Sequence, residues 1–124
     1  TTAPAADPLA GTRWEVVNYN NGRGALVTPL LDTRLTMEFG ANGNLSGNSG
    51  CNTYTTSYQV TGSNITIGLP GGTQILCENP EGVMEQEAAF LAAIETAARY
   101  EIENDRMDMY TEEGSRVGTF KKIP

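Results

Sequence analysis

The sequence predicts a small α+β domain in which one helix packs on a set of short strands, a layout typical of a helix-capped β-barrel. Short runs of alternating apolar and polar residues recur along the chain, and glycine- and asparagine-rich turns separate them. A single stretch changes to helical spacing. The length of 124 residues fits one domain with one modest core.

Strand patterns dominate the first half of the chain. We expect strands over residues 12–19, 34–39, 53–60 and 65–67. In the first of these, alternation places Trp14 and Val16 on one face and Tyr19 on the other. The dipeptide Asn42-Gly43 is a strong hairpin signal, so a short return strand should follow over residues 44–46.

Helical spacing begins after the second cysteine. Asn79 is a suitable N-cap and Pro80 suits the first helical position, so we predict a helix from residue 81 to about 98. Strand patterns return over residues 100–103, 107–110 and 116–122. The strand and helix periodicities predict one shared core that contains Trp14, Leu35, Phe39, Phe90, Leu91 and Ile94.

The beginning of the chain differs in composition from the rest. Residues 1–8 are small and polar and include prolines, so we expect a flexible linker or post-cleavage tail followed by a single domain over residues 9–124. No apolar run approaches the roughly 18 residues that a membrane-spanning helix needs.

Composition argues against several classes of function. The net charge of −7 disfavours nucleic-acid binding, which needs clustered Lys and Arg. The chain has no histidine, so it lacks the commonest general base and the commonest metal ligand. We therefore expect no catalytic residue, no cofactor and no metal.

An ordered set of motifs resembles a known family. Gly11-Thr12-x-Trp14 opens the domain, Gly50-Cys51-Asn52-x-Tyr54 and Thr73-x-x-x-Cys77 follow, and the predicted helix carries Glu87-x-x-Phe90-Leu91. Together with a Tyr100 strand, an Asp105-x-Met107 hairpin and Phe120, this order is similar to that of the META domain family, which includes HslJ-type heat-shock proteins. Family members often have Met-Ala before the second cysteine, where this chain has Ile75-Leu76.

The resemblance implies a fold and a cellular compartment. It implies a small, mostly antiparallel β-barrel-like domain with one helix packed on it. Family members are typically bacterial and either exported or lipoprotein-anchored, with links to stress, drug tolerance and virulence, and no enzymatic mechanism is established for them. We therefore expect an extracytoplasmic location, with a lipid anchor possible in the precursor.

Cys51 and Cys77 each follow a glycine-rich turn and could be a redox-active pair, two buried thiols or a structural disulfide. The pair has no Cys-x-x-Cys spacing and no cationic neighbour in sequence that would lower a thiol pKa, which favours the structural role. An exported protein meets the oxidising conditions that a disulfide requires. Closing a loop of about 26 residues would stabilise the fold by on the order of 3 kcal/mol.

Four further residues of the motifs are expected to have structural roles. Gly50 and Asn52 suit a tight turn, and Tyr54 suits packing across strands. Glu87 lies on the apolar stripe of the predicted helix, where a carboxylate must be buried with partners or lie at the edge. We expect it to anchor hydrogen bonds, with Arg13, Arg34 or a loop N–H as candidate partners.

The sequence favours a non-catalytic binding or accessory module of the cell envelope, acting as a monomer on an envelope or extracellular protein. One alternative is an inhibitor of an extracellular protease, with Pro70, Gly71 and Gly72 as the binding loop, because a rigid loop loses little entropy on docking. A second alternative is a carrier of a small apolar ligand.

Overall fold

The computed structural model describes residues 8–124, and the predicted tail of residues 1–8 lies outside this part of the chain except for Pro8. Within it, the elements are β1 (Thr12–Asn20), β2 (Leu26–Val27), β3 (Thr36–Phe39), β4 (Asn44–Asn48), β5 (Thr53–Thr61), β6 (Asn64–Ile67), β7 (Gly71–Gly72), α1 (Val83–Glu95), β8 (Arg99–Glu103), β9 (Arg106–Tyr110) and β10 (Arg116–Ile123).

The strands form a closed ring. Its order is β1-β3-β4-β5-β6-β8-β9-β10, and pairing of β10 with β1 closes it. Each of these pairings is antiparallel, while β2 and β7 add short segments to β1 and β5. The predicted α+β class, an antiparallel barrel with one helix, is therefore confirmed. No helix among the described residues is long and apolar enough to cross a membrane.

A β-bulge in β1 corrects one prediction. Simple alternation places Tyr19 on the face opposite Trp14, but the pairing with β10 shifts register between Val16 and Asn18. A bulge inserts one extra residue and so exchanges the two faces beyond it. Trp14, Val16 and Tyr19 are consequently all buried.

The helix is shorter at both ends than its periodicity predicts. It begins after Gly82, whose left-handed backbone (φ 87°) serves as the N-cap, and the predicted cap Asn79 instead precedes a cis proline. At the other end, the N–H of Ala98 donates to the carbonyl of Tyr110 in β9 at 2.8 Å. Ala98 therefore lies outside the helix and hydrogen-bonds to the sheet just before β8 begins.

The helix α1 crosses one opening of the barrel. It contacts β1 and β6, which lie on opposite sides of the ring, so it must pass over an end rather than along the wall. Phe90 is fully buried there and meets Tyr19 and Tyr54 edge-on, with ring centroids 6.2 and 5.9 Å away. Of the six predicted core residues, five are buried, and the sixth, Leu91, is partly buried and packs against the core.

Candidate functional site

A disulfide joins two loops at the end of the barrel that α1 covers. Cys51 lies in the turn between β4 and β5, Cys77 lies between β7 and α1, and their sulfurs are 2.01 Å apart. Both cysteines of the chain are in this bond, so the predicted disulfide is present.

Glu87 connects α1 to the turn that holds Cys51. Its Oε1 accepts hydrogen bonds from Ser49 Oγ at 2.8 Å and from the backbone N–H groups of Cys51 at 3.3 Å and Asn52 at 2.6 Å. Its Oε2 accepts one from Asn52 Nδ2 at 2.7 Å. We call Ser49, Cys51, Asn52 and Glu87 the Glu87 cluster.

The Glu87 cluster keeps this carboxylate ionised. Burial alone would raise the pKa of Glu87, since the residue is only 8% exposed. The hydrogen bonds from Asn52, Ser49 and Cys51 outweigh burial and lower the pKa below the ordinary glutamate value. A general acid would need the opposite shift, so this environment suits an anionic anchor.

Asn52 extends the cluster to the segment that follows β7. Its Oδ1 accepts from the N–H of Ile75 at 2.7 Å and from Thr73 Oγ1 at 2.8 Å, while its Nδ2 also donates to the carbonyl of Ile75 at 3.0 Å. These contacts fix which end of the amide carries the oxygen. Together with the disulfide, Asn52 ties this segment to the barrel.

The local geometry explains why Gly50 is a glycine and how Tyr54 is held in the barrel. Gly50 has φ 116°, and a Cβ there would lie 3.1 Å from Gln86 Nε2, so both the conformation and the space favour glycine. The hydroxyl of buried Tyr54 donates to the carbonyl of Thr36 at 2.7 Å. Burial, followed by the nearby Glu38 charge, raises the pKa of Tyr54.

The arginines considered as partners of Glu87 lie elsewhere. Arg34 forms a 3.1 Å salt bridge with Glu15, and Arg13 donates to the carbonyl of Pro124. The third candidate, a loop N–H, is the kind of partner observed, since two backbone N–H groups of the turn donate to the carboxylate.

Sequence reasoning missed the burial of three polar residues, Ser49, Gln86 and Thr119. The Gln86 side chain accepts from the N–H of Leu30 at 2.7 Å and donates to Thr33 Oγ1 at 3.1 Å, which holds the loop before β3 against the helix. Gln86 follows Val83 by three residues and precedes Phe90 by four. This spacing places Gln86 on the apolar stripe of the helix, and a polar residue on that stripe was the sequence signal that could have predicted its burial.

The segment around β7 is exposed and apolar. Leu69, Ile75 and Leu76 have exposed fractions of 79%, 60% and 83%. Between them, Gly71 and Gly72 pair with Thr55 and Tyr54 of β5. A Cβ on Gly72 would overlap the carbonyl of Thr53, so only glycine fits this close approach. We call residues 69–77 the apolar loop.

A surface cleft of about 310 Å³ separates the apolar loop from α1, and we call it the α1–β7 cleft. Residues 70–74 form one wall, and Met84, Ala88 and Leu91 of the helix form the other. Asn52 and Glu87 also line it. The cleft therefore combines one apolar wall, that of the helix, with an ionised carboxylate.

Comparison with solved structures supports the barrel. A protein from Burkholderia xenovorans, solved by NMR, is similar over 99% of this chain and 94% of its own, with a TM-score of 0.74 and 26% identity. A DUF4847 family protein from Bacteroides vulgatus ATCC 8482 is similar in fold, with a TM-score of 0.62 and 15% identity over 92% of this chain and 94% of its own. No curated protein sequence matches significantly.

The family comparison covers nearly the whole chain. The model of the META domain matches residues 7–123, which include both cysteines, the Glu87 cluster and every strand of the barrel. The chain therefore belongs to the META domain family.

Proposed function

We propose that this chain is an exported, non-catalytic binding module of the bacterial cell envelope and that the apolar loop is its contact surface. The observation that carries the proposal is the combination of exposure and anchoring in this loop. Leu69, Ile75 and Leu76 are exposed, yet the loop that holds them is tied down by β7, by Asn52 and by the disulfide. Exposed apolar side chains on an ordered loop are typical of interaction sites.

Anchoring matters because a loop that is already ordered loses little conformational entropy when it docks. The disulfide supports an oxidising compartment, where such bonds persist. A non-catalytic role is supported by the lack of histidine and by the lowered pKa of Glu87, which stays ionised instead of acting as an acid.

The test is a comparison of proteins retained by variants of the chain. The tagged parent, a Leu69→Ser/Leu76→Ser double variant and a Leu31→Ser control would be isolated from envelope fractions and analysed by mass spectrometry. Leu31 is 88% exposed but lies outside the apolar loop, so it matches the chemical change. We expect a partner retained by the parent and the control and lost by the double variant. Retention by all three would contradict the role of the loop.

Protease inhibition is the second candidate, because Pro70–Gly72 lies within this anchored, exposed loop and β7 is extended. Residual activity of trypsin-, chymotrypsin- and subtilisin-type enzymes with excess protein would test it. A carrier that encloses its ligand in the barrel has less support, since Trp14, Phe39 and Phe120 are among the side chains that fill the interior.

A further inference from the structure

The basic residues of this chain are distributed unevenly. All 8 lysines and arginines lie between residues 13 and 34 or between 99 and 122. The intervening residues 35–98 contain none, and they carry the glutamates Glu38, Glu78, Glu81, Glu85, Glu87 and Glu95. Every residue that lines the α1–β7 cleft belongs to this segment. The lining therefore supplies no cation of its own.

Glu87 brings an uncompensated negative charge to this cleft. Its donors are a hydroxyl, an amide and two backbone N–H groups, all of them neutral. Among residues 8–124 the observed salt bridges involve Glu15 and Asp108, not Glu87. Neutral donors stabilise the anion but leave its net charge, and the near-complete burial of Glu87 weakens the screening of that charge by water.

The two oxygens of Glu87 are unequally used. Three donors lie within 3.3 Å of Oε1, and the single proton of one of them, Ser49 Oγ, is shared with the carbonyl of Asn52 at 2.8 Å. Oε2 accepts one hydrogen bond, from Asn52 Nδ2. A carboxylate oxygen has about two lone-pair sites, so Oε2 keeps capacity for another donor. The helix wall of the cleft offers the side chains of Met84, Ala88 and Leu91 to an aliphatic stem.

We propose that the α1–β7 cleft binds a lysine or arginine side chain of a protein partner, with its cationic head toward Glu87 and its stem along the helix wall. This inference rests on the proposed function and names the chemistry of the partner. A protein, rather than a free amine, is the source because Leu69 directly precedes the cleft-lining residues 70–74, and Ile75 and Leu76 directly follow them. These side chains extend the contact beyond one residue.

An anionic membrane fits the same surface poorly. Its lipids attract clustered Lys and Arg, and residues 35–98 carry only acidic charge. If Leu69 and Leu76 were buried in such a bilayer, the glutamates of residues 35–98 would approach lipid headgroups of the same negative charge. Binding of the loop to phosphatidylglycerol vesicles would therefore overturn the proposal.

The experiment is a ¹H–¹⁵N NMR titration of the oxidised protein with N-acetyl-arginine amide, and with N-acetyl-citrulline amide as its uncharged analogue. We expect shifts centred on Gly71, Gly72 and Ala88, with affinity in about the millimolar range. Citrulline should bind roughly tenfold more weakly or worse, as expected when a charge-assisted hydrogen bond is lost. Equal binding of both probes, or shifts centred on the acidic 101–108 hairpin, would overturn the proposal.

Two helix variants separate the cleft from general charge attraction. Ala88→Leu should fill the cleft and weaken arginine binding by roughly tenfold, because Ala88 is an exposed residue in its wall. Ala92→Leu is the matched control, since Ala92 is exposed on the same helix but lines a different cleft. Equal effects of the two variants would refute this site. Because Ala88→Leu leaves the Glu87 hydrogen bonds in place, it avoids the risk of unfolding that a change of Glu87 carries.

A third probe tests the protein source. Acetyl-Leu-Arg-Leu-amide should bind more tightly than the single residue, and Leu76→Ser should remove that advantage while Leu31→Ser keeps it. No advantage of the tripeptide would overturn a protein partner. If arginine fails to bind while the Leu69→Ser/Leu76→Ser variant still loses its envelope partner, the cation site is wrong and the binding module stands.

Discussion

Replacing Glu87 should destabilise the protein by an amount that depends on how many hydrogen bonds the new side chain can still accept. In Glu87→Ala, the side chain and N–H of buried Asn52 lose a charged acceptor, whereas Ser49 Oγ can still donate to the carbonyl of Asn52 at 2.8 Å. Each unsatisfied buried donor costs about 1–3 kcal/mol, and the losses are only partly additive. We therefore expect Glu87→Ala to lower the free energy of unfolding by about 3–5 kcal/mol.

Glu87→Gln should lower the free energy of unfolding by a smaller amount, about 1–2 kcal/mol. The glutamine oxygen can replace Oε1 and keep its three donors, but the amide nitrogen then faces Asn52 Nδ2, also a donor. Asn52 cannot relieve this by turning its amide over, since its Oδ1 accepts from Ile75 and Thr73. One donor pair in conflict costs less than several unsatisfied donors.

Urea unfolding followed by circular dichroism would measure both variants, with Glu85→Ala and Glu85→Gln as controls at an exposed position of the same helix. We expect the controls within about 0.5 kcal/mol of the parent. Parent-like melting of both Glu87 variants would show that the cluster contributes nothing. Equal losses for Gln and Ala would refute the reasoning about the retained oxygen.

Three further outcomes follow from the same structure. The pKa of Glu87 in the folded protein lies below the ordinary glutamate value, so Glu87 contributes its full stability when the pH is above that ordinary value. This contribution is lost as the pH falls through the lower folded pKa. Urea melts at descending pH should show the loss in the parent and less of it in Glu87→Gln. A Cys51→Ser/Cys77→Ser variant should lose on the order of 3 kcal/mol, and thiol titration of the unreduced, unfolded parent should detect no free thiol; two thiols per chain would contradict the disulfide. Phe90→Ala should lose about 3–5 kcal/mol in urea, because the ring is fully buried against Tyr19 and Tyr54, and a loss below about 1 kcal/mol would contradict this packing.

Local sequence patterns correctly predicted which side chains point into the core wherever the periodicity of the strand or helix is regular. Strand alternation placed Leu35 and Phe39 inward, and the helical stripe placed Phe90 and Ile94 in the same core. Tyr19 was misplaced because the bulge in β1 depends on how β10 pairs with it, about a hundred residues later in the chain. Ala98 continues the helical pattern, but its N–H finds a partner in Tyr110 instead.

The sequence by itself determined the α+β class, the family resemblance, the cysteine pair and the presence of an ionisable residue on the apolar stripe. These depend on composition, on short periodicities and on motif order, which are properties of the chain alone. Only the tertiary structure decided which groups meet Glu87 and that a cleft opens beside it. Ser49 lies 38 residues from Glu87 in sequence, and no local period reports a contact over that distance. Closure of the barrel under α1 brings them together, because the helix must cross the end where the turn between β4 and β5 lies.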